Sequence, residues 1–446
     1  MNFERLFSPL QQKDYYMGLL SMFKKKKYKR VMIGLDGVPL PMIRGLTSSG
    51  IMPCLGAIIE HASVTPMHSS VPHISSVAWS SLITGKNPGE HGIYGFMELD
   101  PDNYEFYFPD SHSRKAPSFW EEEPDRFSVI VNVPSTYPAQ SMNGVLIAGF
   151  VAVDLEKAVF PASLLPVLRD FDYRTDIDSS KGHESLDGFM EDAFATLEAR
   201  KKTYRFLWKE QPWDTFMFTV TGTDRLCHFL YRAFKNTDHP FRDGFMEYFG
   251  RVDEIIGEIY DRTPEEALFM MFSDHGFGPL DREVYLNRVF RDRGFLRLTA
   301  DTPSSFADID TGTKAFVLDP SRVYVHTRSH YPRGEVSDDD YESVLTDIEQ
   351  MCAELEIDGS RVIQTAHRKE EIFSGPCMDA APDLVLIENE GFDLKARLSA
   401  NTISGTSVFT GKHTPDDAFL LVRPPQGKTA DIPDNVRVSD VRRIMG

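Results

Sequence analysis

Seven side chains in this chain are of the types that hold divalent cations or act on phosphorus: Asp36, Ser75, Asp224, His228, Asp274, His275 and His413. Asp224 and His228 are four residues apart, a spacing that puts both on one face of a helical turn. Asp274 and His275 are neighbours at the end of an apolar run, where a sharp bend can turn both toward one ion. His413 lies in a loop of small residues, Gly411-Lys412-His413-Thr414-Pro415, ahead of another apolar run. Ser75 stands where a Pro-containing loop changes into a helical pattern, Ser75-Ser76-Val77-Ala78-Trp79. Ser75 or Ser76 suits an N-cap, and a helix start with outward N–H groups attracts anions, a phosphoryl group among them. Each residue alone has an ordinary structural reading, because Asp caps turns and His is often a satisfied, partly buried group. The set as a whole is what directs attention to chemistry.

The elements that must position these groups recur in one pattern. Val31 to Leu35 is a short apolar run followed by Asp36-Gly37. Trp213 to Val220 delivers Thr221-Gly222-Thr223-Asp224, and Ala267 to Phe272 delivers Ser273-Asp274-His275-Gly276. Apolar runs ending in a carboxylate, with helical segments between them, predict a doubly wound, mostly parallel sheet with helices on both faces. Such sheets place their sites at the C-terminal ends of the strands. Further strands are expected at Ser128 to Val133, Leu384 to Ile387 and Ala418 to Val422, and helices at Leu40 to Ser49, Ile51 to Ala62, 184–210 and Phe241 to Tyr260. Residues 285–375 break the rhythm, with a polar loop, one strand near Arg322 and an acidic helix from Asp338 to Leu355. They are read as an inserted cap that shapes the substrate pocket, leaving 30–284 and 376–446 as the catalytic core and 1–29 as a leader.

The net charge of −19 disfavours binding to nucleic acid polymers. It does not exclude a phosphate-bearing substrate, because a bound metal reverses the local field. Four cysteines without a CxxC pair suit a reduced, cytoplasmic protein. No run reaches the ~18 apolar residues of a membrane span, and no secretory signal is evident. The basic run Lys24 to Arg30, behind an apolar stretch, could rest weakly on anionic lipid. A solvated leader is the simpler reading.

Taken in order, the motifs Leu35-Asp36-Gly37, the Ser75 segment with Thr84-Gly85 and His91-Gly92-Ile93, Asp224 with His228, Ser273-Asp274-His275-Gly276 and Gly411-Lys412-His413 resemble the alkaline phosphatase superfamily. The nearest branch is the type I phosphodiesterase/nucleotide pyrophosphatase family, in its subgroup of predicted phosphohydrolases and phosphomutases. Asn132 to Pro138, Asn143-Gly144 and Ala381-Pro382-Asp383-Leu384 carry the same resemblance, which spans roughly residues 30 to 425.

The resemblance implies two divalent cations, Zn²⁺ before Mn²⁺, one held by Asp224, His228 and His413 and the other by Asp36, Asp274 and His275 with the Ser75 hydroxyl. Two such ions ~4 Å apart stabilise the attacking and leaving oxygens of an in-line displacement. The implied activity is hydrolysis of phosphoric esters on a small or nucleotide-like substrate. It would pass through a phosphoseryl intermediate at Ser75, hydrolysed by water activated on the Asp224 metal. Members of the family carry an Asn after the HGI motif that binds a phosphoryl oxygen, and Phe96 stands about there instead. Lys86, Asn87 or a group from the insertion is the expected replacement. Phosphomonoesterase, phosphomutase, phosphonate hydrolase and sulfuric-ester chemistry share this metal core, although no CxPxR-like segment marks a sulfatase. A noncatalytic metal-binding protein docked on a membrane is the alternative from another class.

Overall fold

The structure is a computed structural model that describes residues 28–446. Residues 1–27, most of the leader with Lys24 to Lys27 among them, lie outside the described residues. The end of the basic run is built into the core: Arg30 opens the first strand, is 4% exposed and pairs with Glu123 at 2.9 Å. Lys29 lies over the Trp213 ring.

Eight strands make the central sheet: β1 (Arg30–Leu35), β2 (Ser63–Met67), β3 (Ser128–Val133), β4 (Gly144–Ala148), β5 (Val159–Phe160), β6 (Thr215–Val220), β7 (Leu268–Phe272) and β8 (Ala418–Arg423). Their order is β2-β8-β7-β1-β6-β3-β4-β5. β8 and β5 run against the rest, and the others share one direction. β1, β3, β6 and β7 are buried along their whole length, because helices cover both faces of the sheet and their apolar residues have no polar side to alternate with.

The registers set the site. β1 lies between β6 and β7, with Leu35 opposite Val220 and Gly34 opposite Phe272. The loops that leave these three adjacent strands therefore emerge side by side, carrying Asp36, Asp224 and Asp274. The edge strand β2 follows a helix that is shorter than the expected Ile51 to Ala62. Helix Pro53–Ile59 stops before it, and Pro66, which cannot donate to a ladder, is tolerated because β2 pairs only with β8.

Helix α1 (Ser75–Thr84) is buried at all ten positions. Two of its hydroxyls are satisfied within the helix, Ser80 donating to the Ser76 carbonyl and Thr84 to the Ser80 carbonyl, each at 2.6 Å. Trp79 fills the space above Gly34, where any Cβ on the strand would strike its ring. The N-cap is Ile74, with no side-chain cap bond, so the expectation that Ser75 or Ser76 caps the helix is corrected. Ser75 is the first helical residue, and its hydroxyl is turned toward the carboxylates. Gly85 ends the helix in the left-handed conformation, φ 69°.

A second hydrophobic cluster runs from Val284 to Leu398, with Tyr104 added to it. Its sheet has the order Ala315–Leu318, Arg322–Val325, Leu384–Glu388, Ile363–Arg368, packed by helix Tyr341–Glu354. The expected boundary at 375 falls between two strands of this one sheet, Ile363–Arg368 and Leu384–Glu388. The long strand Gly276–Tyr285 ties the two units together. Near the site it pairs with Gly411–Thr414, and farther out with Gly391–Lys395. Its glycines, proline and charges hid it from periodicity.

Candidate metal centre

The bond ladder between the strands Gly276–Tyr285 and Gly411–Thr414 sets Phe277 opposite His413. This brings His413 over the ends of β1, β6 and β7 and stacks its ring on that of His275, centroids 3.8 Å apart. Asp224 and His228 come from helix α2 (Gly222–Lys235), four residues apart on its inner face. All seven residues expected at the site converge here.

Two overlapping groups of donor atoms result. In one, Asp224 Oδ1 is 3.1 Å from His413 Nε2 and 3.5 Å from His228 Nε2, and the two imidazole nitrogens are 3.0 Å apart. In the other, His275 Nε2 lies 3.6 Å from Asp36 Oδ1, 3.4 Å from Asp274 Oδ2 and 4.0 Å from Asp224 Oδ1. The Ser75 Oγ sits 3.3 Å from Asp36 Oδ1 and 3.1 Å from His275 Nε2. Asp224 belongs to both groups.

Hydrogen bonds orient the rings for this. His275 Nδ1 faces the Gly276 carbonyl at 3.0 Å and His413 Nδ1 faces the His73 carbonyl at 3.2 Å. A carbonyl only accepts, so the proton is on Nδ1 and each Nε2 presents a lone pair inward. Burial pushes both imidazoles down to about 4, keeping them neutral. Burial and the neighbouring carboxylates push Asp36 well up, and burial pushes Asp274 up to about 7. Asp224 is held below its usual range because His228, His413 and Arg225 outweigh its burial. Asp274 Oδ2 is buried with no hydrogen-bond partner. A buried cluster of acceptors, one of them orphaned and three of them carboxylates, fits divalent cations.

The surroundings hold the ligands still. Arg225 donates from Nη1 to Asp224 Oδ2 at 3.1 Å and grips Asp176 from Nε and Nη2 at 3.0 and 2.8 Å. That leaves Asp224 Oδ1 for the histidine side. The Thr223 hydroxyl ties the Asp36 carbonyl at 2.6 Å, and the Gly37 N–H donates to Asp274 Oδ1 at 3.2 Å. His91, read from sequence as a structural group, accepts from the Ile93 N–H on Nδ1 and bonds Ser81 through Nε2 at 2.9 Å, clamping α1 to the turn behind it. Cys227, between two of the ligands in sequence, is fully buried among apolar residues.

A cavity of about 270 Å³ opens beside the histidines, lined by His73, Ile74, Phe96, His228, Lys412 and His413 among others. Phe96 is therefore at the site, its ring edge-on to Phe150, which in turn lies under the Arg225 guanidinium. Lys86 and Asn87 are not among the lining residues. Lys86 pairs with Glu90 at the surface, and Asn87 caps the short helix Pro88–His91 in a box with Glu90. Their proximity in sequence to Ser75 is spent on the helix and turn that separate them in space. The cation missed from sequence is Lys412. It donates to Glu388 of the second unit at 2.6 Å, both side chains 6% exposed. Its position beside His413 was the available signal.

Residues 30–416 match the family model for type I phosphodiesterase/nucleotide pyrophosphatase. The chain belongs to that family. The family's membership in the alkaline phosphatase superfamily agrees with the mixed α/β sheet and with solved structures of similar fold. Phosphonoacetate hydrolase from Sinorhizobium meliloti 1021, in complex with phosphonoacetate, is 17% identical, with a TM-score of 0.62 over 94% of this chain and 96% of that one. Murine ectonucleotide pyrophosphatase/phosphodiesterase 5, in an inactive form in complex with AMP, is 13% identical, with a TM-score of 0.55 over 94% of each chain. No curated protein matches the sequence. As a family member the chain is an enzyme, a metal-dependent phosphohydrolase.

Proposed function

We propose that the enzyme is a phosphodiesterase of the nucleotide pyrophosphatase type, working with two divalent cations, zinc before manganese, through a phosphoseryl intermediate on Ser75. The observation that carries this reading is the Ser75 hydroxyl at 3.3 Å from Asp36 and 3.1 Å from His275, between two donor groups that share Asp224. Asp224, His228 and His413 would hold one cation, and Asp36, Asp274, His275 and Ser75 the other. Bound there, the pair lowers the pKa of the Ser75 hydroxyl and offsets charge on the phosphoryl oxygens.

The chain's own residues do the rest. Ser75 is fixed on the first turn of a fully buried helix, so its oxygen meets phosphorus along one line, with little ordering left to be done. A bond forms from Ser75 Oγ to phosphorus while the bond to the ester oxygen breaks, and the leaving alcohol takes a proton. Water then attacks the phosphoserine, the Oγ–phosphorus bond breaks and Ser75 is restored. The open N-terminus of α1 favours the extra negative charge of both steps. Phe96, Ile74 and Met97 give the cavity an apolar side beside the histidines. The substrate class is a small or nucleotide-like phosphate ester. The four unpaired thiols suit a reducing, cytoplasmic setting.

Hydrolysis of bis-p-nitrophenyl phosphate, p-nitrophenyl phosphate and a thymidine phosphodiester by wild type and Ser75→Ala, after chelation and re-addition of Zn²⁺ or Mn²⁺, tests the reading. Metal-dependent diester cleavage lost in Ser75→Ala is the expected result. A preference for the monoester turns the assignment to a phosphatase or mutase. Retained turnover in Ser75→Ala removes the phosphoseryl step.

A further inference from the structure

Next to the cavity at the histidines lies a second chamber of about 370 Å³, lined by the second unit together with Met97, Phe106 and Glu283. Three residues line both spaces, Met97, Asp319 and Lys395, and so form the wall or neck between them. The inner cavity alone is slightly smaller than the ~300–1,000 Å³ of ordinary ligand pockets, whereas the two together fall well inside that range.

The neck is polar: Lys395 pairs with Asp393 at 2.7 Å, and Asp319 accepts from the Ala396 N–H at 2.7 Å. Beyond it the walls are mixed, with Phe106, Phe306, Leu318 and Leu398 beside Glu283, Ser304, Ser305, Arg397 and Ser399. Phe106 sits edge-on to Phe306 with ring centroids 4.9 Å apart, yet remains 40% exposed. It begins the run Phe106-Tyr107-Phe108, which is 40%, 49% and 63% exposed and makes up half of the large exposed hydrophobic side chains among the described residues. Phe106, the one ring of the three that lines the chamber, offers a partly exposed aromatic face to an apolar guest there.

We propose that the inner cavity and the outer chamber are one substrate site in two parts, and that the outer part receives the distal, apolar end of a group esterified to phosphorus. The inference rests on the phosphodiesterase reading above only for which space holds the phosphoryl group. It assigns Met97 at the neck and Phe106 in the chamber as specificity-determining residues. The substrate it implies is elongated: a phosphoryl end at the histidines, a polar or hydroxylated middle at Asp319 and Lys395, and an apolar or ring-bearing end against Phe106.

The test uses the metal-loaded full chain and p-nitrophenyl phosphodiesters whose second substituent is methyl, hexyl or decyl. Five added methylenes in the chamber are expected to raise kcat/KM at least about tenfold from methyl to hexyl. Met97→Trp, which narrows the neck, and Phe106→Ser, which strips the chamber wall, are each expected to collapse the hexyl-to-methyl ratio toward one. A flat series in wild type, or a ratio that survives both variants, overturns the proposal. Turnover of none of the esters would count against the phosphodiesterase reading alone. Calorimetric binding of hexyl phosphate against methyl phosphate, in wild type and Met97→Trp, then decides the chamber by itself: tighter hexyl binding lost in the variant supports it, and equal binding overturns it.

Discussion

His413 Nε2 stands 3.1 Å from Asp224 Oδ1, while its Nδ1 faces the His73 carbonyl at 3.2 Å. The carbonyl claims the imidazole proton, so a nitrogen lone pair and a carboxylate oxygen confront each other at hydrogen-bond distance with no proton of their own to share. Burial holds the imidazole down at about 4, so at neutral pH a second proton does not supply the missing charge. The arrangement is made for a cation.

The pH dependence of stability follows from the same cluster. Burial pushes Asp274 up to about 7, from an ordinary value of 3.8. A carboxyl raised in the fold binds more protons folded than unfolded, so the metal-free fold loses stability as pH rises from about 4 through 7. Bound cations take the proton's place and remove that loss. The melting-temperature gap between metal-loaded and chelated protein is expected to widen from about pH 5 to pH 8. A gap that stays constant or narrows would refute the cation's role at Asp274.

Adjacent serines give a sharp contrast. Ser75→Ala is expected to lower kcat by roughly 10³-fold or more while bound metal, measured by elemental analysis, stays within reach of wild type. Ser76 Oγ is buried with no hydrogen-bond partner, so Ser76→Ala leaves nothing newly unsatisfied and should change kcat only a few-fold. The reverse order would move the nucleophile by one residue.

Arg225 acts through Asp224. Replacing it with methionine removes the 3.1 Å bond to Oδ2 and frees the carboxylate to rotate. Cation affinity is expected to fall about 10–100-fold, with activity recovered at high metal concentration. Competition with a chromogenic chelator measures it. Unchanged affinity with lost activity would assign Arg225 to substrate instead.

The Lys412–Glu388 pair joins the second unit to the strand of His413. With both side chains 6% exposed, Lys412→Met strands a buried carboxylate and should cost about 3–5 kcal/mol in urea unfolding of the loaded enzyme. Lys412 and His73 outweigh burial and hold Glu388 down at about 2. A depressed carboxylate contributes stability above its unfolded value and loses it as pH falls toward the folded one. The gap between wild type and variant should therefore shrink from about pH 6 to pH 3. A pH-independent gap would trace the cost to packing alone.

Lys86 tests what proximity in sequence is worth. Its ammonium is 3.1 Å from Glu90, with side chains 45% and 35% exposed. Lys86→Ala should leave kcat/KM within about twofold, since an exposed pair contributes ~0–1 kcal/mol and no lining contact is lost. A larger drop in kcat/KM would return Lys86 to the substrate.

Much of this protein was legible in its sequence because the physics involved is local. A strand buried on both faces must be apolar throughout, so β1, β6 and β7 stand out as runs, and the polar residue that ends each run stands out with them. Helical spacing alone puts Asp224 and His228 on one face. Ordered motifs then carried the seven site residues and the mixed α/β sheet. What local pattern does not encode is which loops meet. The strand Gly276–Tyr285 has no apolar period, so its pairing with Gly411–Thr414, which brings His413 onto His275, belongs to the tertiary structure. So does the diversion of Lys86 and Asn87 to the turn and helix cap beside Glu90, and the arrival of Lys412 in the wall of the cavity. The sheet boundary between 363 and 388 was hidden for the same reason: antiparallel partners are chosen by packing across a core, and sequence distance says little about that choice.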